Sequence, residues 1–185
     1  MRSRLLIGFL LAALAVAAVP APREDEDESG FFDFSYTPGA PWRELPTEIP
    51  ARVDEKALVE LPVDRRGSPF DYLIDASALT RRADNVVRYL VVVRSPTGAR
   101  NILYEGLRCD SGEYKTYAFG DSAGRLRPVR MPRWRPVTAG DAFRYRHELL
   151  TVWLCDGPLA LAPREAVRRI RHGAEEASPV EGLTP

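Results

Sequence analysis

The chain has 185 residues, of which 45% are hydrophobic and 28% are charged, and its 26 basic residues balance its 26 acidic residues. These proportions are typical of globular proteins and exclude a chain that is disordered throughout. The length suits one domain with its own hydrophobic core rather than two.

Residues 1–21 have the features of a secretory signal peptide. Arg2 and Arg4 precede an apolar run from Leu5 to Val19. The run is shorter than the roughly 20 residues that span a bilayer, and small residues follow where a signal peptidase would cleave. We expect a protein that is exported to the periplasm or secreted, with no transmembrane segment after cleavage. The alternative is an uncleaved N-terminal anchor. No cysteine lies near the end of the run, so lipid attachment is not expected.

Residues 22–50 are expected to form a disordered or extended arm. An acidic run, residues 24–28, repels itself, and the prolines that follow lack the amide donor of regular structure. Aromatic side chains in the proline-rich part need burial, so we expect this part to lie over the surface of the domain, with partner binding as the alternative. The globular domain is assigned to residues 51–173, and residues 174–185 are expected to be a disordered tail.

The domain is predicted to contain an antiparallel meander of about five strands. β-Branched and aromatic residues are concentrated in short segments, which are separated by turns that contain glycine or proline. These segments are residues 57–61, 70–75, 85–94, 99–109 and 113–119. Three prolines follow within residues 125–137, which favours an edge strand or an irregular ribbon there.

Two helices are predicted after the strands. Residues 141–154 carry apolar side chains at helical spacing, and Asp141 can cap their N-terminus. A second helix begins near Pro163, carries Glu165 in its first turn and arginines in its last turn, and ends at Gly173. The expected fold class is therefore α+β, with the sheet covered on one side by the first helix and followed by the second.

A series of short sequence blocks extends over most of the domain. They are Asp75–Leu79, Val86–Tyr89, Ser95–Asn101, Tyr104–Cys109 and Tyr117–Gly120, followed by Trp134 and Cys155. In these blocks, over roughly residues 42–173, the chain resembles the CNP-like family of small exported bacterial proteins. The family has no established reaction, cofactor or ligand, so the resemblance implies little about activity. The layout is also similar, more loosely, to surface-adhesin protein E-like domains, which informs only the expected fold.

Basic and acidic residues are unevenly distributed along the chain. Residues 1–80 hold 8 basic and 14 acidic groups, whereas residues 81–172 hold 18 basic and 9 acidic groups. An exported protein rarely meets nucleic acid, so we expect no nucleic-acid partner. An envelope protein with acidic groups, or an anionic lipid surface, is the expected partner instead. The charge distribution by itself favours a solvated basic surface that the acidic ends of the chain neutralise, with such a partner as the other interpretation.

The basic residues are densest in residues 125–135, here called the basic ribbon. Its candidate binding residues are Arg125, Arg127, Arg130, Arg133, Trp134 and Arg135. Arginines beside an indole can bind anionic head groups or an acidic partner strand through charge-assisted hydrogen bonds and cation–π contacts. The alternative is that the tryptophan is anchored in the core and the arginines are solvated.

Cys109 and Cys155 are the two cysteines of the chain. In an exported protein an even pair is expected to form a disulfide, which here would join the end of a meander strand to the end of the first helix. The alternative is a nucleophilic Cys109 with His147 as its base, which requires a free, deprotonated thiol.

Three carboxylates, Glu105, Asp110 and Glu113, lie close to Cys109 in the sequence. Paired carboxylates can perform acid–base chemistry, but alternation along a hairpin more often pairs such groups with basic residues across the strands. The basic residues available are Arg100, Arg108 and Lys115. We expect ion pairs here and not catalysis.

The sequence therefore predicts an exported envelope protein with a non-catalytic binding or structural role. A small periplasmic enzyme that uses Glu105 and Glu113, or Cys109 and His147, is the alternative. No cofactor is expected, because the sequence has no phosphate-binding glycine loop. No metal is expected either, since His147 and His172 do not have the spacing of metal ligands.

Overall fold

The computed structural model describes residues 41–63, 67–140 and 144–173. The predicted signal peptide, most of the predicted arm, the predicted tail and Asp141 lie outside the described residues. The described part of the chain forms an antiparallel sheet, on which the C-terminal helices and a small hairpin pack.

The strands of the main sheet are, in chain order, β1 (Leu58–Glu60), β2 (Asp71–Asp75), β3 (Thr80–Arg81), β4 (Val86–Arg94), β5 (Arg100–Arg108), β6 (Glu113–Gly120), β7 (Leu126–Pro128) and β8 (Arg135–Pro136). Strands β1, β2, β4, β5, β6 and β7 lie side by side in that order. Strand β3 pairs with β4, and β8 pairs with β6. All of these pairings are antiparallel.

The α+β class with an antiparallel sheet is confirmed, but the sheet is larger than the expected five strands. The five predicted segments form β1, β2, β4, β5 and β6. The additional strands β3, β7 and β8 are only two or three residues long, and the last two end on Pro128 and Pro136. β7 and β8 lie within residues 125–137, where an edge strand or an irregular ribbon was expected, whereas β3 is too short to carry an alternating pattern.

Helical structure follows the main sheet. The elements are α1 (Tyr145–Glu148), a π-helical turn (Leu149–Trp153), β9 (Cys155–Asp156), β10 (Leu159–Ala160) and α2 (Pro163–His172). α1 and the π-helical turn are continuous and occupy most of the segment predicted as the first helix. α2 begins at Pro163, and Gly173 ends it with a φ of 95°. Among the described residues, the helices are too short or too polar to cross a membrane.

Side chains are buried on both faces of the sheet, which gives two hydrophobic clusters. On the helix face, the sheet packs against α1, the π-helical turn and α2; fully buried members of this cluster are Tyr89, Val91, Leu107, Leu149 and Leu154. On the opposite face, here called the arm face, the cluster comprises Val53, Ala78, Leu90, Val92, Ile102, Tyr104, Tyr117 and Ala118. A sheet buried on both faces needs a second covering layer, because its apolar side chains would otherwise contact water.

Residues 41–50 lie against the arm face and contain no helix or strand. Side-chain hydrogen bonds hold this segment: the Leu45 N–H donates to Asp84 at 2.9 Å, and Arg88 donates to the Leu45 carbonyl at 3.0 Å and to the Thr47 hydroxyl at 2.8 Å. Asp84 and Arg88 are buried and pair with each other at 2.6 Å. A buried ion pair needs such additional hydrogen bonds, so the arm completes this polar centre.

Candidate functional site

The basic ribbon lies beside β6 at the edge of the sheet. Strand β7 pairs with one end of β6 and β8 with the other, so the ribbon follows the whole length of that strand. Arg133 and Arg135 line a recess on one side, whereas Trp134 contacts the arm on the other. This division follows from extended backbone, whose successive side chains point to opposite faces. The structure therefore distributes the candidate residues between two surfaces.

On the helix face, residues of the ribbon and of β6 line a recess of about 160 Å³; we call it the basic groove. Its lining comprises Tyr114, Thr116, Phe119, Val129, Met131, Pro132, Arg133 and Arg135. Two of these side chains are large, apolar and exposed, Phe119 by 52% and Met131 by 73%. An exposed apolar patch that charged residues surround is a feature of binding surfaces.

The arginines of the ribbon differ in their electrostatic surroundings. Arg125 and Arg127 lie 2.9 and 3.7 Å from the carboxylate of Asp121. Hydrogen bonds from the backbone N–H and the guanidinium of Arg125 lower the pKa of Asp121, so this carboxylate stays charged at neutral pH. The remaining arginines, Arg130, Arg133 and Arg135, are exposed and have no hydrogen bond or ion pair to another described residue through their guanidinium groups.

Phe119 and Met131 were not predicted as site residues. The sequence does carry a signal for Met131, which is an apolar residue between arginine and proline in a charged segment. Phe119 carries none, because an aromatic residue near the end of a predicted strand resembles a core position. Its exposure depends on the path of the ribbon, which leaves the ring half uncovered.

On the arm face, Trp134 belongs to a cluster around Glu44 of the arm. The Trp134 indole N–H donates to Glu44 at 3.1 Å, and its ring meets that of Trp42 edge-on, with 5.8 Å between centroids. Lys115 and Tyr117 also donate to the Glu44 carboxylate, at 2.6 and 2.8 Å. Trp134 therefore anchors the arm and faces away from the basic groove.

The cluster keeps Glu44 charged. Burial raises the pKa of Glu44, but the hydrogen bonds from Lys115, Tyr117 and Trp134 outweigh this effect, and the pKa lies below the ordinary value of 4.5. Burial and the hydrogen bond to Glu44 raise the pKa of Tyr117 in turn. At neutral pH the ion pair between Glu44 and Lys115 is therefore complete.

A disulfide joins Cys109, directly after β5, to Cys155 in β9, with 5.7 Å between their Cα atoms. The expected disulfide is thus confirmed. Neither cysteine of the chain is free, so the thiol that the enzymatic alternative requires at Cys109 is engaged.

Arg108 occupies the corner beside this disulfide. Its guanidinium pairs with Asp110 at 2.9 Å and with Glu113 at 3.1 Å. The same group lies over the indole of Trp42, with 3.8 Å between its central carbon and the ring centroid. The two ion pairs therefore hold Arg108 within the β5–β6 hairpin, and its cation–π contact joins the hairpin to the arm.

Two other basic residues, Lys115 and Arg100, were expected to pair with carboxylates across the hairpin. Among the described residues, each pairs with a carboxylate outside the hairpin instead. Lys115 pairs with Glu44 of the arm, because strand alternation places Lys115 on the arm face. Arg100 pairs with Glu55 at 2.8 Å. Only Arg108 has the partners that the hairpin alternation predicted.

Glu105 points into the helix face and is completely buried. It accepts hydrogen bonds from the side chains of Tyr89, Thr116, Tyr145 and Arg146. Burial raises the pKa of Tyr89 and of Tyr145 well above its ordinary value, and the nearby Glu105 charge adds to this. Burial lowers the pKa of Arg146, but its hydrogen bonds to Glu105 outweigh burial and raise it. Both oxygens of the Glu105 carboxylate accept hydrogen bonds, as a structural polar network requires.

The carboxylates of the enzymatic alternative do not come together. Glu113 pairs with Arg108, which lies three positions along β5 from Glu105. Three positions correspond to about 10 Å of strand, too far for the two carboxylates to share a proton. Within the part of the chain that the structure describes, the His, Cys, Asp and Glu side chains form no group of three that could hold a metal ion.

Comparison with known proteins gives a family match. The model of the CNP1-like family matches residues 37–171. The chain is also 26% identical over 168 residues to Cryptic neisserial protein 1 of Neisseria gonorrhoeae (strain ATCC 700825 / FA 1090), a match that covers 75% of this chain and 81% of that protein. No solved structure matches the chain. The residues that match the family model include the whole main sheet, the basic ribbon and both cysteines.

Proposed function

This chain belongs to the CNP1-like family, and we propose that it is an exported protein of the bacterial cell envelope that binds an acidic segment of another protein in its basic groove. The role is binding and not catalysis. Of the predicted ribbon residues, Arg130, Arg133 and Arg135 belong to the proposed binding site. Phe119 and Met131 are added to it.

One observation carries the binding proposal: arginines that pair with none of the described residues surround exposed apolar side chains in a recess. Arg133 and Arg135 line the groove together with Phe119 and Met131, and Arg130 lies one position before Met131. A guanidinium without an internal partner keeps its donors available for a carboxylate, with which it can form two parallel hydrogen bonds. The apolar side chains supply the contact area that charge alone does not.

The shape of the groove favours a protein segment over a lipid surface. A recess of about 160 Å³ is concave and admits a side chain, whereas a membrane surface is contacted by residues that protrude. An acidic segment that carries one large apolar residue would place this residue between Phe119 and Met131 and its carboxylates on Arg133 and Arg135. Arg125 and Arg127 add little, because they do not line the groove and share the carboxylate of Asp121, which offsets one of their two charges.

Export is supported by two independent features. Residues 1–21 have the composition of a signal peptide. Cys109 and Cys155 form a disulfide, and disulfides persist in the periplasm and outside the cell rather than in the cytosol.

A charge-reversal pair tests the binding site. The variant with Arg133→Glu and Arg135→Glu should lose its partner in pull-downs from envelope extracts. The matched control, Arg125→Glu with Arg127→Glu, changes the net charge of the ribbon by the same amount and should retain the partner. A synthetic peptide from the acidic region of the recovered protein should bind the wild type with an affinity that falls steeply with salt.

Three outcomes would contradict the binding proposal. Equal loss in both variants would indicate general electrostatic attraction, and equal retention would place the partner elsewhere. Sedimentation of the wild type, but not of the groove variant, with vesicles that contain anionic lipid would assign the groove to the membrane surface instead.

Export is tested separately by expressing the full chain in a Gram-negative host. We expect the protein in the periplasmic fraction, with a mass that corresponds to the loss of about 21 residues and of two thiol hydrogens. A protein that stays in the cytosol with its N-terminus intact would contradict export and leave the groove experiment unaffected.

A further inference from the structure

Two residues of β6 that line the basic groove, Tyr114 and Thr116, are joined to the buried ion pair of Glu105 and Arg146; we call these two residues the floor of the groove. The Thr116 hydroxyl donates to the Glu105 carboxylate at 2.8 Å. The Arg146 guanidinium lies over the ring of Tyr114, with 4.1 Å between its central carbon and the ring centroid. The fold thus holds the floor in place before a ligand binds, which lowers the entropic cost of binding.

The hydrogen bond to Glu105 determines what the Thr116 hydroxyl can offer to a ligand. A hydroxyl has one hydrogen to donate and two lone pairs that accept. Glu105 is ion-paired with Arg146, and a charged carboxylate can only accept, so the single hydrogen of Thr116 is used toward Glu105. Among the residues that the structure describes, none donates a hydrogen bond to the Thr116 oxygen. Thr116 therefore offers the groove an acceptor and no donor.

The other side chains that line the groove favour an aromatic ring over an aliphatic side chain. The exposed ring of Phe119 can pack edge to face with a second ring. The sulfur of Met131 forms favourable contacts with ring edges. The guanidinium of Arg133 or Arg135 can lie over the face of a ring in a cation–π contact. Because each of these contacts adds to the apolar area that any large side chain would bury, a ring gains the most.

The volume of the groove suits one six-membered ring. At about 160 Å³ it is close to the roughly 150 Å³ of an apolar cavity that holds one benzene molecule. The fused rings of an indole need more room. Histidine has an N–H donor, but its charged form would be repelled by the arginines of the groove. Of the aromatic side chains, tyrosine combines a single six-membered ring with a hydrogen that it can donate to Thr116, whereas phenylalanine has the ring without the hydrogen.

We propose that the basic groove recognises a tyrosine within the acidic segment of its partner, with the phenol ring between Phe119 and Met131 and the phenol hydroxyl donating to Thr116. This assignment rests on the proposed binding function and specifies the large side chain that the segment carries. Acidic residues on either side of the tyrosine place their carboxylates on Arg133 and Arg135. Thr116 is then the residue that distinguishes tyrosine from phenylalanine.

Isothermal titration of the purified protein with three synthetic peptides tests this assignment. Each peptide has glutamates on both sides of a central residue, which is tyrosine, phenylalanine or leucine. The tyrosine peptide should bind about fivefold more tightly than the phenylalanine peptide, a difference of one hydrogen bond, and the leucine peptide should bind most weakly. Equal affinities for the first two peptides, both lost in the variant with Arg133→Glu and Arg135→Glu, would overturn the tyrosine assignment and leave the proposed function intact. No binding of any peptide would contradict both.

Three variants locate the hydrogen bond. Thr116→Val keeps the shape of the side chain but removes the acceptor, so it should bind the tyrosine and phenylalanine peptides equally. Thr116→Ser keeps a hydroxyl, and Tyr114→Phe removes a different hydroxyl from the same groove, so both should retain the preference for tyrosine. A variant that only loosened the floor would weaken both peptides and leave the ratio of their affinities unchanged. A preference that survives in Thr116→Val, or that is lost in Tyr114→Phe, would overturn the role of Thr116.

Discussion

Arg146 lies in the interior with its guanidinium 2.7 Å from the carboxylate of Glu105, and the side chains of the pair are 5% and 0% exposed. The pair joins α1 to the centre of β5, because each residue comes from one of these elements. Glu105, one of the three carboxylates close to Cys109 in the sequence, thus has a structural role. Its position on the helix face, hydrogen-bonded on both oxygens, is that of a structural centre.

Glu105→Gln should strongly destabilise the protein. Glutamine has nearly the same shape but carries no charge, so Arg146 would be left as an uncompensated buried cation. Such a loss costs about 3–5 kcal/mol in the free energy of unfolding. Urea unfolding followed by circular dichroism measures the difference.

The matched control for that variant is Glu113→Gln. Glu113 pairs with Arg108 at the more exposed corner, where its side chain is 30% exposed. Removing this charge should cost less than about 1 kcal/mol. Equal losses in the two variants would contradict a structural role that is specific to Glu105.

Trp42→Ala should weaken the attachment of the arm. The substitution removes the ring that lies beneath Arg108 and the indole N–H that donates to the Asp84 carbonyl at 2.9 Å. We expect a loss of about 2 kcal/mol in the free energy of unfolding, since the side chain is partly exposed and not in a closed core. Trp42→Phe keeps an aromatic ring and should restore about half of this loss. An alanine variant as stable as the wild type would contradict the role of the arm as a covering layer.

Acid should destabilise the protein through two carboxyls, Asp84 of the domain and Glu44 of the arm, whose hydrogen bonds attach the arm. Burial raises the pKa of Asp84, but hydrogen bonds from Arg88 and the Leu45 N–H outweigh it, so the pKa lies below its ordinary value of 3.8. The pKa of Glu44 is also lowered, from an ordinary value of 4.5. Since the folded state holds both groups deprotonated to lower pH than the unfolded chain does, their stabilisation is complete above about pH 5 and is lost as the pH falls through the lowered values.

Urea unfolding at a series of pH values from 7 to 3 measures this loss. Glu44→Gln should be less stable than the wild type at pH 7, and its stability should fall less steeply below pH 5. The difference between the two proteins should narrow as the pH falls, because protonation progressively removes the charge of Glu44 in the wild type as well. An unchanged slope in the variant would contradict the assignment to Glu44.

Local patterns in the sequence predicted much of the fold. The alternating and β-branched segments gave β2, β4, β5 and β6 close to their observed bounds, because a buried strand of five or more residues has a recognisable composition. Pro163 and Gly173 predicted the limits of α2 for a similar reason, since each acts through its own backbone geometry.

The parts that could not be predicted depend on contacts between distant residues. The ion pair of Lys115 with Glu44 joins residues 71 positions apart, and nothing local to Lys115 distinguishes this partner from the carboxylates of its own hairpin. For the same reason the two arginines of the basic groove could not be separated from Arg125 and Arg127. That separation depends on Asp121 and on which face of the ribbon each side chain occupies.

Replacing both cysteines should destabilise the fold without changing its architecture. The disulfide closes a loop with a sequence separation of 46 residues, and on the chain-entropy model its loss costs up to about 4 kcal/mol, because the unfolded chain regains conformations that the cross-link excluded. Cys109→Ser with Cys155→Ser should therefore unfold at a lower urea concentration. The wild type in the presence of a reductant is the matched control, and it should approach the stability of the variant, since both lack the cross-link. A double variant within about 1 kcal/mol of the oxidised wild type would mean that native packing alone holds β9 against the end of β5.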